Sequence, residues 1–463
     1  MSLLLLRSCG QHITLRSETV FGRLKQLQSV MKYGMSTEDR RLDLVVFGAS
    51  GFTGRYVAEE AFRLSKDKNF TWGVAGRSAT KLQQVLKDIS KKTGADLSEV
   101  PVIEADVKDF ESLLCLASRV HVIVNCVGPY RFYGEPVVKA CIESGAHQVD
   151  VTGEPQYMER MQLDYNKSAE EKGVYIVSAC GFDSIPADMG VVFLQDKFVG
   201  DVNSVEAYLE SKLDCAPKGA SIHYTTWESA VHGVANYGEF RPLRQKLFPN
   251  RLPRFSPRMK RRVLPHKQTG VNGWCLPFPG SDRTVVSRSQ RHFYEHDKKR
   301  PIQFEAYAVF PSLIVSFLVI MVAFVFGILT RFKLGVKLLL DYPKVFSCGF
   351  VSHEGPTEEM MKNTHFKFTL FAEGWKEKLS EPTDQHATPM NKKVTAQIKG
   401  QNPGYGATCT ALILSAVTII KEHDKMPFRG GVFTPGAAFA KTSLIEELNK
   451  HGLTFEITST EEK

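Results

Sequence analysis

The sequence predicts an α/β fold, a doubly wound parallel sheet joined to a second α+β domain, and three observations carry that prediction. Leu42 to Gly54, LDLVVFGASGFTG, takes a short apolar run straight into glycines at 48, 51 and 54. From there to Gly181, short apolar runs alternate with amphipathic stretches, the rhythm of strand, helix and parallel strand. After about residue 200 the texture changes, and Ala306 to Thr330 holds 25 residues without a charge. A length of 463 residues and a hydrophobic content of 43% fit two or three domains with a full core.

Residues 1–34 precede the alternating pattern. They carry Arg7, Arg16, Arg23, Lys25 and Lys32, several hydroxyl side chains, and Glu18 as their single acid. That is the composition of a mitochondrial transit segment, and an untargeted extension fits it equally well. The nine cysteines show no CxxC or metal-ligand spacing, so neither a disulfide framework nor a metal centre is expected.

The first strand, Leu44 to Phe47, turns at Gly48 into a helix beginning FTGRYVAEEAF. Glycine permits the tight turn, and the free N–H groups of the first helical turn point at an incoming anion. Gly48, Ser50, Gly51, Phe52, Thr53 and Gly54 are therefore candidates for cradling a dinucleotide pyrophosphate. The spacing is GxxGxxG, so a purely structural glycine turn is the alternative. The second strand, Thr71 to Gly76, ends at Arg77 and Ser78 with no acid in the position that holds a ribose 2′-hydroxyl. An arginine there suits a 2′-phosphate, so NADP(H) is expected. Val100 to Asp106 is the third strand, and Asp106 at its end faces the adenine or caps the next helix.

Val120 to Gly128 is the fourth strand and leads into NCVGPYRFYGEP, with a helix expected over Gly134 to Gly145. By the crevice rule, Gly128, Pro129 and Tyr130 lie on the nicotinamide side. His147 to Gly153 and Val174 to Gly181 complete six strands, with a helix over Pro155 to Lys172 between them. The last delivers Asp183 and Ser184, which join Tyr130 as the catalytic candidates. Gly and Pro also mark turns that carry no chemistry.

In the second region a strand opens near Ser204, and GASIHYTTWESA reads as a loop feeding a helix. GWCLPFPGSDRTVVSRSQR mixes turn residues with a strand-like TVV. His365 to Trp375 and Lys393 to Gly400 read as a hairpin in an antiparallel or mixed sheet. Ser221, Thr225, Ser281 and Asp282 are the substrate-side candidates. Ser312 to Thr330 has the length of a bilayer-crossing helix, with Pro311 at its start and basic residues on both flanks. Equal flanks give no inside–outside asymmetry, which fits a helix or hairpin dipping into one leaflet of a membrane or a lipid monolayer. Residues 241–300 add 16 Lys or Arg against three acids, an attraction for anionic headgroups and not, beside an apolar anchor, a nucleic-acid platform. Gly404 to Ile420 reads as a helix packed in the fold, Lys441 to His451 as an amphipathic helix, and LTFEITS as a strand.

Together FGASGFTG, AGRS, NCVGPYRFYGEP, TGEP, GFDSIPAD and GGVFTPGAAF resemble the saccharopine dehydrogenase-like oxidoreductases from Met35 onward. The resemblance implies a Rossmann domain over 35–200 and an inserted substrate and dimerisation domain over 201–402, bearing the apolar segment 306–330. It further implies a segment, 403–463, that returns to the first domain. It implies an NADP(H)-dependent oxidoreductase, with saccharopine itself doubtful as substrate. Since enoyl reductases of glycolipid assembly are similar, the resemblance leaves open a lipid-linked or another, unknown substrate, and action at a lipid droplet or membrane surface facing the cytosol is expected. A mitochondrial location is the alternative, and a non-catalytic nucleotide-binding lipid-surface protein is the competing class.

Overall fold

The computed structural model describes residues 41–216 and 218–462, so the expected extension over 1–34 lies outside the described residues. The alternating half forms strands β1 (Leu42–Phe47), β2 (Trp72–Gly76), β3 (Val102–Glu104), β4 (Val120–Asn125), β5 (His147–Asp150) and β6 (Tyr175–Val177). Between and after them run helices α1 (Phe52–Lys68), α2 (Ala79–Thr93), α3 (Phe110–Ser118), α4 (Tyr130–Ser144), α5 (Pro155–Lys172) and α6 (Ile185–Lys197). The six strands are joined by a seventh, β14 (Gly431–Phe433), in the order β14-β6-β5-β4-β1-β2-β3, all parallel. The strand order reverses between β1 and β4, which opens a crevice beyond their carboxyl ends. Apolar residues on both faces explain the near-continuous hydrophobic runs: Leu44, Val45 and Val46 are all fully buried.

The second half carries α7 (Tyr224–Ala235), α8 (Phe240–Leu247), α9 (Asp282–Asp297), α10 (Leu313–Leu329), α11 (Lys333–Asp341), α12 (Pro343–Phe346) and α13 (Glu358–Asn363). Its six-stranded sheet runs β15 (Thr454–Glu462), β13 (Lys392–Gln401), β12 (Thr364–Trp375), β7 (Asp201–Leu213), β10 (Gln303–Phe310) and β9 (Trp274–Pro277). It is mixed, because β7 and β10 run parallel while the other pairs are antiparallel. The β12–β13 hairpin pairs Leu370 with Ala396 and Phe368 with Ile398. Two short strands, β8 (Ile222–His223) and β11 (Val351–Ser352), make a separate parallel ribbon. Helices α14 (Thr408–Glu422), α15 (Pro435–Phe439) and α16 (Leu444–Lys450) complete the chain order.

Helix α6 ties the halves together, for although it follows the first sheet it lies flat on the second. A Cβ at Gly190 would sit 3.0 Å from both Ile398 Cδ1 and Leu370 Cδ2. Helix α14 packs against α1, β4 and β5, and twelve of its fifteen residues are buried.

Several sequence expectations are corrected. Thr284 to Val286 is helical in α9, not extended. Ser281 and Asp282 start the helix, and Val285, Val286, Ser289 and Phe293 then fall on its buried face. Helix α4 begins at Tyr130 instead of Gly134, because the Glu154 carboxylate accepts the N–H groups of Tyr130 (2.8 Å) and Arg131 (3.0 Å) and caps it from another loop. The uncharged stretch 306–330 is not one span: Ala306 to Phe310 belongs to β10, and the chain restarts as α10. Ser312, not Pro311, caps that start, accepting from Val315 N–H at 3.2 Å. Seventeen helical residues reach about 25 Å, short of the ~30 Å hydrocarbon core. Within 403–463, α14 and β14 lie on the first sheet, but β15 departs from the expected return and pairs with β13 at the edge of the second.

Candidate active site

At the reversal point three strand ends come together. Phe47 pairs with Ala75 on β2 and with Asn125 on β4, so Gly48, Arg77 and the Gly128 turn are neighbours. Gly48 adopts φ +83°, and a Cβ there would press within 2.8 Å of Val127 Cγ2. A Cβ at Gly54 would lie 2.1 Å from the Gly48 carbonyl oxygen, so glycine at 54 lets α1 seat against the turn. Gly51 is the N-cap of α1, with ordinary φ and no side chain capping the helix; its first turn holds no acid. Ser50, Gly51 and Arg77 are exposed, and Phe52 and Thr53 are half-buried. The open N-terminus, the glycine cradle and Arg77, which forms no ion pair among the described residues, together fit a phosphate-rich nucleotide.

Gly76 closes the gap between turn and second strand, since a Cβ there would meet Ser50 Oγ at 3.8 Å. Ser78 caps α2 by accepting from Lys81 N–H at 3.4 Å. Asp106 is half-buried and its carboxylate accepts Lys108 N–H at 3.0 Å, a local turn that leaves it beside the end of β3.

The nicotinamide side is built differently. Pro129 precedes α4, whose N-terminus is closed by Glu154. Tyr130 is buried, and its hydroxyl donates to the Asn125 carbonyl oxygen at 2.8 Å. Burial raises its phenol well above the ordinary value, so Tyr130 fixes the β4 turn and holds no free proton at the cleft. Below it Asp150 accepts from Ala179 N–H (3.1 Å), Thr152 N–H (3.1 Å), Ser178 Oγ (2.9 Å) and Gln148 Nε2 (3.2 Å). Burial pushes its carboxyl up to about 6 in spite of these bonds. Asp150 thereby knots the ends of β5 and β6 and holds Ala179 at φ +63°. Neither Asp150 nor Glu154 was singled out from sequence. The available signal was an acid immediately before Pro155, at a helix start.

Asp183 is exposed to solvent, and desolvation raises its carboxyl above the ordinary value. A Cβ at Gly153 would come 3.4 Å from Asp183 Oδ2, placing this acid across from the TGEP turn. Ser184 is buried beneath it, its hydroxyl 3.1 Å from Ser281 Oγ, and Ser281 donates to the Asp183 carbonyl oxygen at 3.2 Å. Asp282 is buried with neither carboxylate oxygen bonded among the described residues. Burial and the neighbouring Asp183 and Asp188 hold its pKa well above the carboxylate range. The structure thus brings Asp183, Ser184, Ser281 and Asp282 together. Ser221 and Thr225 lie elsewhere, exposed around the β8–β11 ribbon, with Ser221 N–H donating to Phe350 O at 3.0 Å.

That ribbon supplies what the sequence reading missed. His223 stacks on Phe52 with ring centroids 4.3 Å apart, and Tyr405 meets Phe52 edge-on at 4.9 Å. Phe52, the first residue of α1 beside the open glycine turn, is thus packed between His223 and Tyr405. A cavity of 430 Å³ lies farther along α1, bounded by Glu59, Arg63, Lys92 and Glu358. Its charges pair with one another, Lys92 and Glu59 at 2.7 Å, so it offers less to an anion than the open turn.

Residues 44–177 match the family described as the saccharopine dehydrogenase NADP binding domain. A human saccharopine dehydrogenase-like oxidoreductase is 42% identical over 434 residues, 92% of this chain and 100% of the relative. The chain belongs to the saccharopine dehydrogenase-like oxidoreductase family. It is an NADP(H)-binding oxidoreductase of that family, with the parallel dinucleotide sheet that the strand order displays. A Caenorhabditis elegans member named "Lipid droplet localized protein" is 38% identical over 90% of this chain and 99% of its own length. An Arabidopsis thaliana member named "Probable mitochondrial saccharopine dehydrogenase-like oxidoreductase" is 34% identical over 90% of this chain and 96% of its own.

Proposed function

We propose that the chain transfers a hydride between NADP(H) and a small-molecule or lipid-linked substrate while seated on a lipid droplet monolayer or membrane surface. The observation that carries this reading is α10, where one residue of seventeen, Ser316, is buried. Ile314, Phe317, Leu318, Met321, Phe324 and Val325 stand exposed, joined by Phe332 and Leu334 next to them. Water does not tolerate so large a contiguous apolar face, whereas an acyl-chain boundary does. Too short to cross and uncovered by protein, α10 fits a helix lying in one leaflet. The basic stretch contributes less than its composition implied. Arg244, Arg261, Arg262, Arg283 and Arg291 are engaged in ion pairs within the chain. The worm relative's name favours a lipid droplet and the plant relative's a mitochondrion; exposure of α10 accords with either surface.

Bound NADP(H) supplies the hydride, and the chain's own residues position it and handle the proton. Gly48, Ser50, Gly51, Phe52, Thr53 and Gly54 receive the pyrophosphate at the open end of α1. Arg77, with Ser78, takes the 2′-phosphate. Gly128, Pro129 and Tyr130 wall the nicotinamide side. Asp183, across from the TGEP turn, holds a proton at higher pH than an ordinary carboxyl, which suits it to protonate a reduced substrate. Ser184 and Ser281 orient its loop.

Cofactor assignment is tested by Arg77→Asp. Charge-assisted hydrogen bonds to the 2′-phosphate contribute roughly 1.5–3 kcal/mol, so NADPH should weaken about 10- to 100-fold relative to NADH in titration. Equal loss for both nucleotides would remove Arg77 from the site.

A further inference from the structure

The lipid-facing helices and the dinucleotide turn are physically joined. Residues 313–346 form α10, α11 and α12, and the chain then passes through Phe350 into β11. Strand β11 pairs with β8 through two positions, Val351 with Ile222 and Ser352 with His223. His223 carries its ring onto Phe52, the first residue of α1. The approach is close: a Cβ at Gly355 would lie 2.6 Å from Phe52 Cζ and 3.2 Å from His223 Cδ2, and Gly355 has φ +69°. A second arm runs through α7. Trp227 Nε1 donates to Leu339 O on α11 at 2.8 Å, and its ring meets Phe326 of α10 at 5.1 Å. Two residues on, Ser229 donates to Glu154 Oε1 at 2.9 Å, the carboxylate that caps α4 beside the nicotinamide wall.

Among the described residues, none between Phe310 and Asn363 belongs to the hydrophobic clusters of either sheet. This unit rests on the body where α10 meets β9 and β10 and where α13 meets β13, outside the main hydrophobic cluster of either sheet. Seating its apolar face in lipid restricts it, and the His223 ring, which β8 holds against its strand β11, is restricted with it. A cofactor arriving at an already ordered turn loses less freedom on binding.

We propose that His223 is a positioning residue through which lipid docking tightens NADP(H) binding. By linkage, NADP(H) tightens docking by the same factor. The inference rests on the lipid-surface reading given above. The test titrates NADPH by its fluorescence with and without triolein droplets coated with phosphatidylcholine and phosphatidylserine, alongside flotation of the protein with those droplets. Wild-type affinity should rise about five-fold on droplets. His223→Ala should float as wild type does and lose the rise, while His223→Phe, which keeps a stacked ring, should restore it. Matching thermal melts for both variants exclude simple misfolding. If wild type floats and its NADPH affinity is unchanged, the coupling is wrong and the lipid reading stands. A full rise in His223→Ala also overturns it. Failure of wild type to float removes the lipid reading, and the coupling with it.

Discussion

Two apolar helices in this chain meet opposite surroundings. Leu313–Leu329 and Thr408–Glu422 have seventeen and fifteen residues, yet one is buried and twelve are buried, respectively. The second, extended by its flanking turns over Pro403–Lys425, is long and apolar enough to cross a membrane by composition, and it is the one enclosed by protein. Their side chains account for the difference. Helix α14 mixes Ala, Ser and Thr with its Leu and Ile, and two of its buried hydroxyls return to their own helix: Ser415 donates to Ala411 O and Thr418 to Leu414 O, both at 2.8 Å. Thr410 donates instead to Glu60 of α1. Small residues let α1, β4 and β5 approach it closely. Helix α10 presents Phe, Ile, Leu and Met around most of its circumference, too bulky and too uniform for a single flat neighbour. Apolarity is common to both helices, and side-chain size decides which of them the fold encloses.

The sharpest way to break the contrast is a charge on each helix. Leu414→Asp places a carboxylate at a site 1% exposed, so loss of the fold is expected, at more than about 4 kcal/mol. Circular dichroism and denaturant titration would show it, and a wild-type melt would expel α14 from the core. Phe324→Asp, at a site 67% exposed, should leave stability within about 0.5 kcal/mol. Its effect should fall on lipid: losing ~1.5–3 kcal/mol of aromatic burial weakens droplet partitioning roughly 10- to 100-fold. Unchanged flotation would mean that this face never touches lipid. The smallest effect concerns the one buried residue of α10. Ser316→Leu overfills its contact with the body, a strain of about 1–3 kcal/mol confined to the helix. Faster amide exchange over 313–330 with an unaltered global melt is the expected signature, and a lowered global melt would tie α10 to the core.

Much of the first sheet was legible because buried parallel strands write themselves as apolar runs, and glycines at 48 and 54 mark contacts that no Cβ allows. The seventh strand was harder, since Gly431–Phe433 has three residues and no period to read. Thr284–Val286 misled because β-branched propensity yields to a helix start and a buried face. The start of α4 was hidden because its cap, Glu154, is 24 positions away. The same holds for the site. Turn glycines and Arg77 are local signals, whereas the His223 ring on Phe52, the Asp150 knot and the gathering of Asp183 with Asp282 exist only once distant segments meet.

The position of β14 has a consequence for how the chain is made. Its partner β6 ends at Val177, so the pairing of Phe433 with Val177 waits for about 250 further residues. At ~5–20 residues per second, that is a delay of roughly 10–50 s. During it, α10 has left the ribosome with its apolar face open, while β4 and β5 still lack the helix that covers them. The chain therefore exposes the apolar face of α10 before the edge strand of its dinucleotide sheet is in place.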